Sequence, residues 1–242
     1  MADTPITSAF VLGSTSAVAA AICEELAARG CRRFHLVARN PERNRALADR
    51  LERTAGVEVS LQPFRLAADA SPVALPAESF DLYLITAGSL GDADRARTDP
   101  AEALAISEAN FTGLIPWLMA IVTPDRMRSR GRLWVFSSVA ADRGRPSNYV
   151  YGAAKAGLTR FCEGLLLRCH GTPFAVRILK AGFMATPMTE GKAPASLCAS
   201  PRSIARDLLR RPDRRGIEYI PWWWGPLMLL IRALPASLAS KL

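Results

Sequence analysis

Hydrophobic and polar positions along this chain switch between two rhythms. Short apolar runs recur near 7–12, 33–38, 57–64, 80–86, 132–137, 174–179 and 217–220. Between them lie stretches with helical spacing of apolar positions, the longest near 100–128 and 149–170. The first rhythm predicts buried strands and the second predicts helices. Their alternation predicts a parallel sheet, because a parallel pair needs a crossover long enough to hold a helix. The segment AADASPVALPAES, residues 67–79, carries two prolines between the third and fourth runs and predicts no full helix. No internal repeat or low-complexity linker interrupts the pattern. The expectation is a single α/β domain over 1–220, a Rossmann-like doubly wound parallel sheet of about seven strands with helices on both faces. Residues 221–242 are expected to be a hydrophobic C-terminal extension of that domain.

Composition narrows the setting. The chain has 242 residues, 50% of them hydrophobic and 22% charged, enough for one generous globular domain. Its formal net charge is +9, and 27 of the 31 basic residues are arginine. That balance favours anionic company: a phosphorylated cofactor, a phosphate-bearing substrate or an anionic lipid surface. Nucleic acid is not expected, since the densest cluster, RRPDRR at 210–215, lacks interleaved aromatics and reads as a solvated face. The cysteines at 23, 31, 162, 169 and 198 are odd in number and form no C-x-x-C pair. With an N-terminus that lacks a basic n-region, they predict reduced thiols in a cytoplasmic protein, without disulfides or zinc. His35 and His170 have no partners at metal spacing and read as structural.

The first strand runs into LGSTSAVAAAICEELAARG. A strand, then Gly13 with Ser14, Thr15, Ser16 and Val18, then a helix of good formers, is a layout that cradles phosphate. Backbone N–H groups and the helix dipole face the anion there. Ala17 and Ala19 hold the places of two further glycines, so a tight turn with no ligand is the competing reading. The second strand ends HLVARNPER. No carboxylate stands at this edge to accept bonds from a ribose 2′-OH; Arg39, Asn40 and Arg43 stand there instead. Arginine's planar fork suits a phosphate, which favours NADP(H) over NAD(H). The alternative is that Arg39 stacks on the adenine.

The stretch GRLWVFSSVAADRGRPSNYVYGAAKAGLTRF carries the chemistry. A buried strand delivers Ser137 and Ser138 to its C-terminal end, where open α/β sheets bind ligands. Tyr151 follows Ser138 by thirteen residues, and Lys155 follows Tyr151 by four, on the same helix face. A cation near the phenol is expected to lower its pKa toward working pH. Tyr151 is then a proton donor to a carbonyl oxygen that receives hydride, and Ser138 polarises the same oxygen. Tyr149 has Ala153 four residues on, and so lacks the cation. Arg143 and Arg145 flank Gly144 and are either phosphate readers or solvated loop residues. Met184 and Met188 either line a substrate lid or simply pack.

These residues resemble the short-chain dehydrogenase/reductase family over nearly the whole chain. The family's catalytic Asn, Ser, Tyr and Lys fall on Asn110 (in EANFTG), Ser138, Tyr151 and Lys155. The resemblance implies that Asn110 holds a water linking Lys155 to solvent and that Lys155 binds the nicotinamide ribose. It also implies cofactor contacts from Ala87 and Gly88 in Thr86-Ala87-Gly88, and from Gly182 and Thr186 in KAGFMATPM. Two departures are the LGSTSAVA turn and the missing adenine-side aspartate in LQPFRLAAD. The segments GSTSAVA, GSLGD, DRGRPSNYVYGAAKAGL and YIPWWWGPLMLLIRALPASL are similar to a bacterial subgroup that reduces a 2-keto pentose carried on a polyprenyl phosphate. That likeness implies a lipid-linked or otherwise hydrophobic ketone as substrate and a flavin oxidase as partner. The resemblance to the family as a whole further implies a homodimer or homotetramer joined through the two long helices. Reduction of an acyl or sterol carbonyl, and a non-catalytic dinucleotide-binding role, are the other functions consistent with the sequence.

The ending PWWWGPLMLLIRALPASLASKL is the remaining anomaly. Its longest apolar run, 222–231, is ten residues, short of the roughly 20 that a spanning helix needs. Gly225 and Pro226 are expected to open a short helix. Ile231, Leu234, Leu238 and Leu242 would share one stripe if Pro235 only kinks it. Such a tail packs over the cleft, joins subunits, or lies at a membrane interface with Arg232 and Lys241 as its charges.

Overall fold

A computed structural model describes residues 4–64, 73–186 and 194–240. The seven strands form within two residues of their expected bounds: β1 (Ser8–Leu12), β2 (Arg33–Ala38), β3 (Glu58–Pro63), β4 (Leu82–Ile85), β5 (Gly131–Ser138), β6 (Phe174–Ala181) and β7 (Gly216–Ile220). All pair in parallel, in the order β3-β2-β1-β4-β5-β6-β7. The order reverses between β1 and β4, which opens a crevice beyond their C-terminal ends. The central strands are buried on both faces. In β1, Ala9 and Val11 enter one apolar cluster, while Phe10 and Leu12 enter the other. The first cluster is closed by α1 (Ala17–Ala28), α2 (Pro41–Glu52) and α7 (Pro201–Leu208). The second is closed largely by α4 (Ile115–Ile121) and α6 (Tyr149–Arg168). Strands covered on both sides read as continuous apolar runs, as the sequence does here.

The long helix expected over 100–128 is broken. It forms as α3 (Pro100–Asn110), a single 3-10 turn at Thr112–Leu114, α4 and a short α5 (Pro124–Arg128). Phe111 leaves helical geometry at φ −148° and ψ −72°. Pro116 has no N–H for the Thr112 carbonyl and its ring crowds that oxygen, so an unbroken α-helix could not pass through. The break places Asn110 at a helix end and not mid-helix. The apolar run Pro100–Ile121 has the length and hydropathy of a membrane span, but 44% of an 18-residue window within it is buried in the fold. The other long helix is α6, two residues shorter than expected at its C-terminus. Residues 73–79, with Pro76 among them, form no helix, as expected; 65–72, which include Pro72 and the end of LQPFRLAAD, lie outside the described residues.

Beyond β7 the tail folds as α8 (Trp224–Ala233) and α9 (Ala236–Ala239). Pro235 ends α8 rather than kinking it. The preceding Leu234 sits extended at φ −62° and ψ 137°, the conformation that a following proline enforces. The expected stripe from Ile231 to Leu242 therefore does not form as one helix face, and Leu242 and Lys241 lie outside the described residues. Trp224 and Met228 pack with Val139, against Phe183, Tyr219 and Ile231, in a third small apolar cluster. The outer face stays open, with Trp222 exposed at 77% and Leu229 and Leu230 each at 68%.

Candidate active site

The crevice is a cleft of about 990 Å³ that runs from α2, across the ends of β1 and β4, to the start of α6. At its near end Gly13 has φ +90°, and its N–H donates to the Val37 carbonyl at 2.8 Å. A Cβ at Gly13 would sit 2.4 Å from the Ala87 nitrogen, so only glycine lets the two strand ends meet. The Thr86 hydroxyl donates to the Gly13 carbonyl at 2.9 Å and ties the same two loops together. Ser16 precedes α1 in extended geometry and makes no side-chain cap, so the first N–H groups of that helix face the cleft unclaimed by it. Thr15 lines the same stretch.

Two residues of the turn play other parts than the sequence suggested. Ser14 is fully buried, and its hydroxyl donates to Asn44 Oδ1 at 2.6 Å. It braces the turn against α2; its side chain is not available to a ligand. Asn44 completes the brace by donating to the Leu36 carbonyl at 3.0 Å. The sequence signal for Asn44 was an amide in a buried row that includes Leu47 and Leu51. The Val18 side chain belongs to the core, leaving only its backbone for a ligand. Asn40 is likewise committed: its side chain caps α2 by accepting from the Arg43 N–H at 2.8 Å. Arg39 and Arg43 remain exposed on the cleft and pair with no carboxylate among the described residues, whereas Arg50 is held by Glu24 at 3.0 Å.

Deeper in the cleft the four expected catalytic positions converge. Asn110 is fully buried and donates to the carbonyls of Ser89 at 2.6 Å and Ile106 at 2.8 Å. A Cβ at Gly88 would lie 2.6 Å from Asn110 Oδ1 and 3.2 Å from Lys155 Nζ, so Gly88 is the gap through which these groups approach. Lys155 Nζ donates to the Phe136 carbonyl at 3.2 Å and lies 5.9 Å from the centre of the Tyr151 ring. Ser138 Oγ accepts from the Ala140 N–H at 3.1 Å, which aims the hydroxyl along the strand end. Ser137 points away, into a buried bond with Thr159 at 2.6 Å.

The electrostatics correct one expectation. Burial holds the Tyr151 phenol above its ordinary value, against the opposing pull of the Ser138 hydroxyl and the Arg145 guanidinium. Lys155 does not bring it down. Burial instead pushes the Lys155 amine down to about 8, because a charged ammonium is poorly solvated there. A phenol that keeps its proton at neutral pH is the form a proton donor needs.

The remaining predicted positions lie around these four. Ala87 and Gly182 line the cleft, and the Gly182 N–H donates to the Ile220 carbonyl at 2.9 Å. Trp224 occupies the space where a Gly182 Cβ would stand, its Nε1 only 1.8 Å from that point. Thr186 and Met184 also line the cleft, and Met184 packs in part on the core; Met188 lies outside the described residues. Arg143 is drawn away to α8, where it donates to the carbonyls of Arg232 at 2.6 Å and Leu234 at 2.9 Å. Among the described residues, no aspartate or glutamate lines the cleft, against Arg39, Arg43, Arg50, Arg145 and Lys155. Sequence reading missed that asymmetry. The Gly13 cradle, the α1 N-terminus and the Arg39 and Arg43 guanidiniums at that end of the cleft fit a phosphorylated dinucleotide.

Comparison with known proteins agrees with this geometry. Residues 7–196 match the sequence profile of the family described as short chain dehydrogenase. The chain is similar to an uncharacterized oxidoreductase of Mycobacterium tuberculosis, 35% identical over 242 residues and spanning 97% of this chain and 96% of that relative. It is 27% identical over 191 residues to a 7β-hydroxysteroid dehydrogenase of Collinsella aerofaciens, spanning 76% of this chain and 71% of the relative. A solved short-chain dehydrogenase from Sphingobium yanoikuyae in complex with NADPH superposes with a TM-score of 0.78 at 22% identity. That match covers 96% of this chain and 97% of the other, and it is a likeness of fold.

Proposed function

This chain belongs to the short-chain dehydrogenase/reductase family of oxidoreductases, and we propose that it uses NADPH to reduce a ketone to a secondary alcohol. The ketone we assign is the 2-keto group of a pentose carried on a polyprenyl phosphate, an intermediate of cell-envelope polysaccharide. The observation that carries the reading is the convergence of Asn110, Ser138, Tyr151 and Lys155 on one cleft that, among the described residues, no carboxylate lines.

A nicotinamide dinucleotide would be held by the Gly13–Val18 backbone, by Arg39 and Arg43 at the 2′-phosphate, and by Ala87, Gly88, Lys155, Gly182 and Thr186 beyond. Bound there, it supplies the hydride that the ketone carbon accepts. The chain's own part is to place the oxygen and deliver the proton. Ser138 Oγ holds the ketone oxygen and polarises it. Tyr151 gives that oxygen its phenolic proton as the alcohol forms. The negative charge left on the phenolate is opposed by the Ser138 hydroxyl and the Arg145 guanidinium; Lys155, for its part, is still protonated below about pH 8. Asn110 anchors the Ser89 segment beside Lys155 and, in this reading, holds the water that returns a proton from solvent.

The lipid-borne substrate is supported by the resemblance of GSTSAVA, GSLGD, DRGRPSNYVYGAAKAGL and the tail to the decaprenylphosphoryl-2-keto-ribose reductases. The apolar outer face of α8 also supports it. With Trp222, Leu229 and Leu230 in the open and Arg232 near the helix end, the tail suits an anionic membrane interface where a polyprenyl chain resides. A flavin oxidase is the partner that would make the ketone.

The test is a synthetic polyprenyl-phosphoryl 2-keto-pentose, followed by NADPH oxidation and by the C2 configuration of the product. Turnover to a single C2 epimer, with NADH much less effective, is expected. Firm NADPH binding with no oxidation by this compound or by a panel of acyl and sterol ketones would make the chain a dinucleotide-binding partner instead.

A further inference from the structure

Two arginines sit in the loop between Ser138 and α6, and the fold uses them differently. Arg143 is spent on the carbonyl end of α8. Arg145 stays on the cleft, half-buried, in the same wall as Ser147, Asn148 and Tyr151. The deeply buried arginines elsewhere are each matched by a carboxylate: Arg132 by Asp213 at 2.8 Å and Arg177 by Glu218 at 2.6 Å. Arg145 pairs with none among the described residues, although burial already disfavours its charge. A guanidinium does not shed its proton to escape such a site. A half-buried cation kept without a counter-ion is a cost to the fold that an anionic ligand would relieve.

Its surroundings also suit an anion. Asn148 precedes α6 but makes no side-chain cap, so its amide is uncommitted to the helix and the first N–H groups of α6 are unclaimed by it. The cleft thus has cations at both ends. Arg39 and Arg43 stand by α2, and Arg145 stands by the reacting phenol.

We infer that Arg145, with Ser147 and Asn148, forms an anion subsite beside Tyr151 that binds a phosphate carried by the ketone substrate. This rests on the reading above of Tyr151 as the group that faces the ketone. It makes Arg145 a specificity-determining residue, selecting phosphate-bearing ketones over neutral ones. Its planar fork takes two phosphate oxygens together, a geometry that lysine reproduces only as a point charge.

Titration of the NADP⁺-loaded protein, which has no hydride to give, with ribulose 5-phosphate and with ribulose tests the subsite on one keto-pentose with and without the phosphate. The wild-type protein is expected to bind the phosphate ester at least tenfold more tightly. Arg145→Gln should erase that preference, Arg145→Lys should restore part of it, and neither should shift NADP⁺ affinity by more than twofold. Equal affinity of the wild-type protein for the two probes, including no binding of either, would overturn the subsite. So would a preference that survives in Arg145→Gln, or a parallel loss of NADP⁺ affinity, which would assign Arg145 to the cofactor. If the phosphate preference holds but the polyprenyl-linked compound is not reduced, the substrate assignment fails and the subsite stands.

Discussion

The floor of the cleft and the C-terminal tail break the same rule in opposite directions. On the floor, polar groups are hidden: Asn110 is 0% exposed, Lys155 5% and Ser138 9%. On the tail, apolar groups are shown to solvent. A fold pays for neither without return, and polar groups inside or large apolar patches outside are the informative departures from ordinary burial. The floor's polar groups are held in a hydrogen-bonded frame of backbone carbonyls and amides, which fixes their geometry. The tail's inner face is equally well fixed, on Val139 and Phe183, while its outer face has no internal partner in the described residues. The floor is built to hold one arrangement, and the outer tail is built to meet something else.

The sharpest way to break this contrast is at the phenol. Tyr151→Phe keeps the ring and its packing and removes only the hydroxyl that carries the proton, so ketone-dependent NADPH oxidation should fall by about 10²–10⁴-fold. Circular dichroism and NADPH affinity should stay near those of the wild-type protein, and near-normal turnover would remove Tyr151 from the chemistry. A middle-sized effect is expected on the tail. Replacing Leu229 and Leu230 with serine should weaken binding to anionic liposomes by roughly tenfold per leucine. Reduction of a water-soluble ketone should persist. Unchanged liposome binding, or loss of the soluble activity, would show that this face serves a subunit or the core. The smallest effect is electrostatic. The Lys155 amine titrates near 10.5 in the unfolded chain and near 8 in the folded one. Between those values the unfolded chain holds a proton that the folded chain has released, so stability rises with pH across that window. Denaturant midpoints of the cofactor-free protein should therefore gain more from pH 8 to pH 10 than those of Lys155→Met.

Much of this was legible in the sequence, and the reasons differ by region. The central strands were clear because β1, β4 and β5 are mostly apolar runs buried on both faces. Ser138, Tyr151 and Lys155 were clear because their spacing fixes them to one strand end and one helix face. The helix over 100–128 was misread because its apolar pattern continues through Phe111 and Pro116, where backbone sterics stop it. Ser14, Asn40 and Arg143 carry the residue types of ligand contacts, yet each is taken by a hydrogen bond within the fold that composition does not reveal. Lys155 was expected to lower the phenol's pKa, but burial dominates both groups, and burial is a property of the packed fold. Whether Arg143 or Arg145 faced the cleft depended on where α8 ends, about ninety residues further along the chain.

The most direct test of the central claim follows the hydrogen itself. NADPH deuterated at the nicotinamide C4 should yield a product with one deuterium on the new carbinol carbon, transferred by the wild-type protein and about 10²–10⁴-fold more slowly by Tyr151→Phe. Bound NADPH that gives up no deuterium to any ketone offered, or a Tyr151→Phe variant that transfers it at the wild-type rate, would contradict the account.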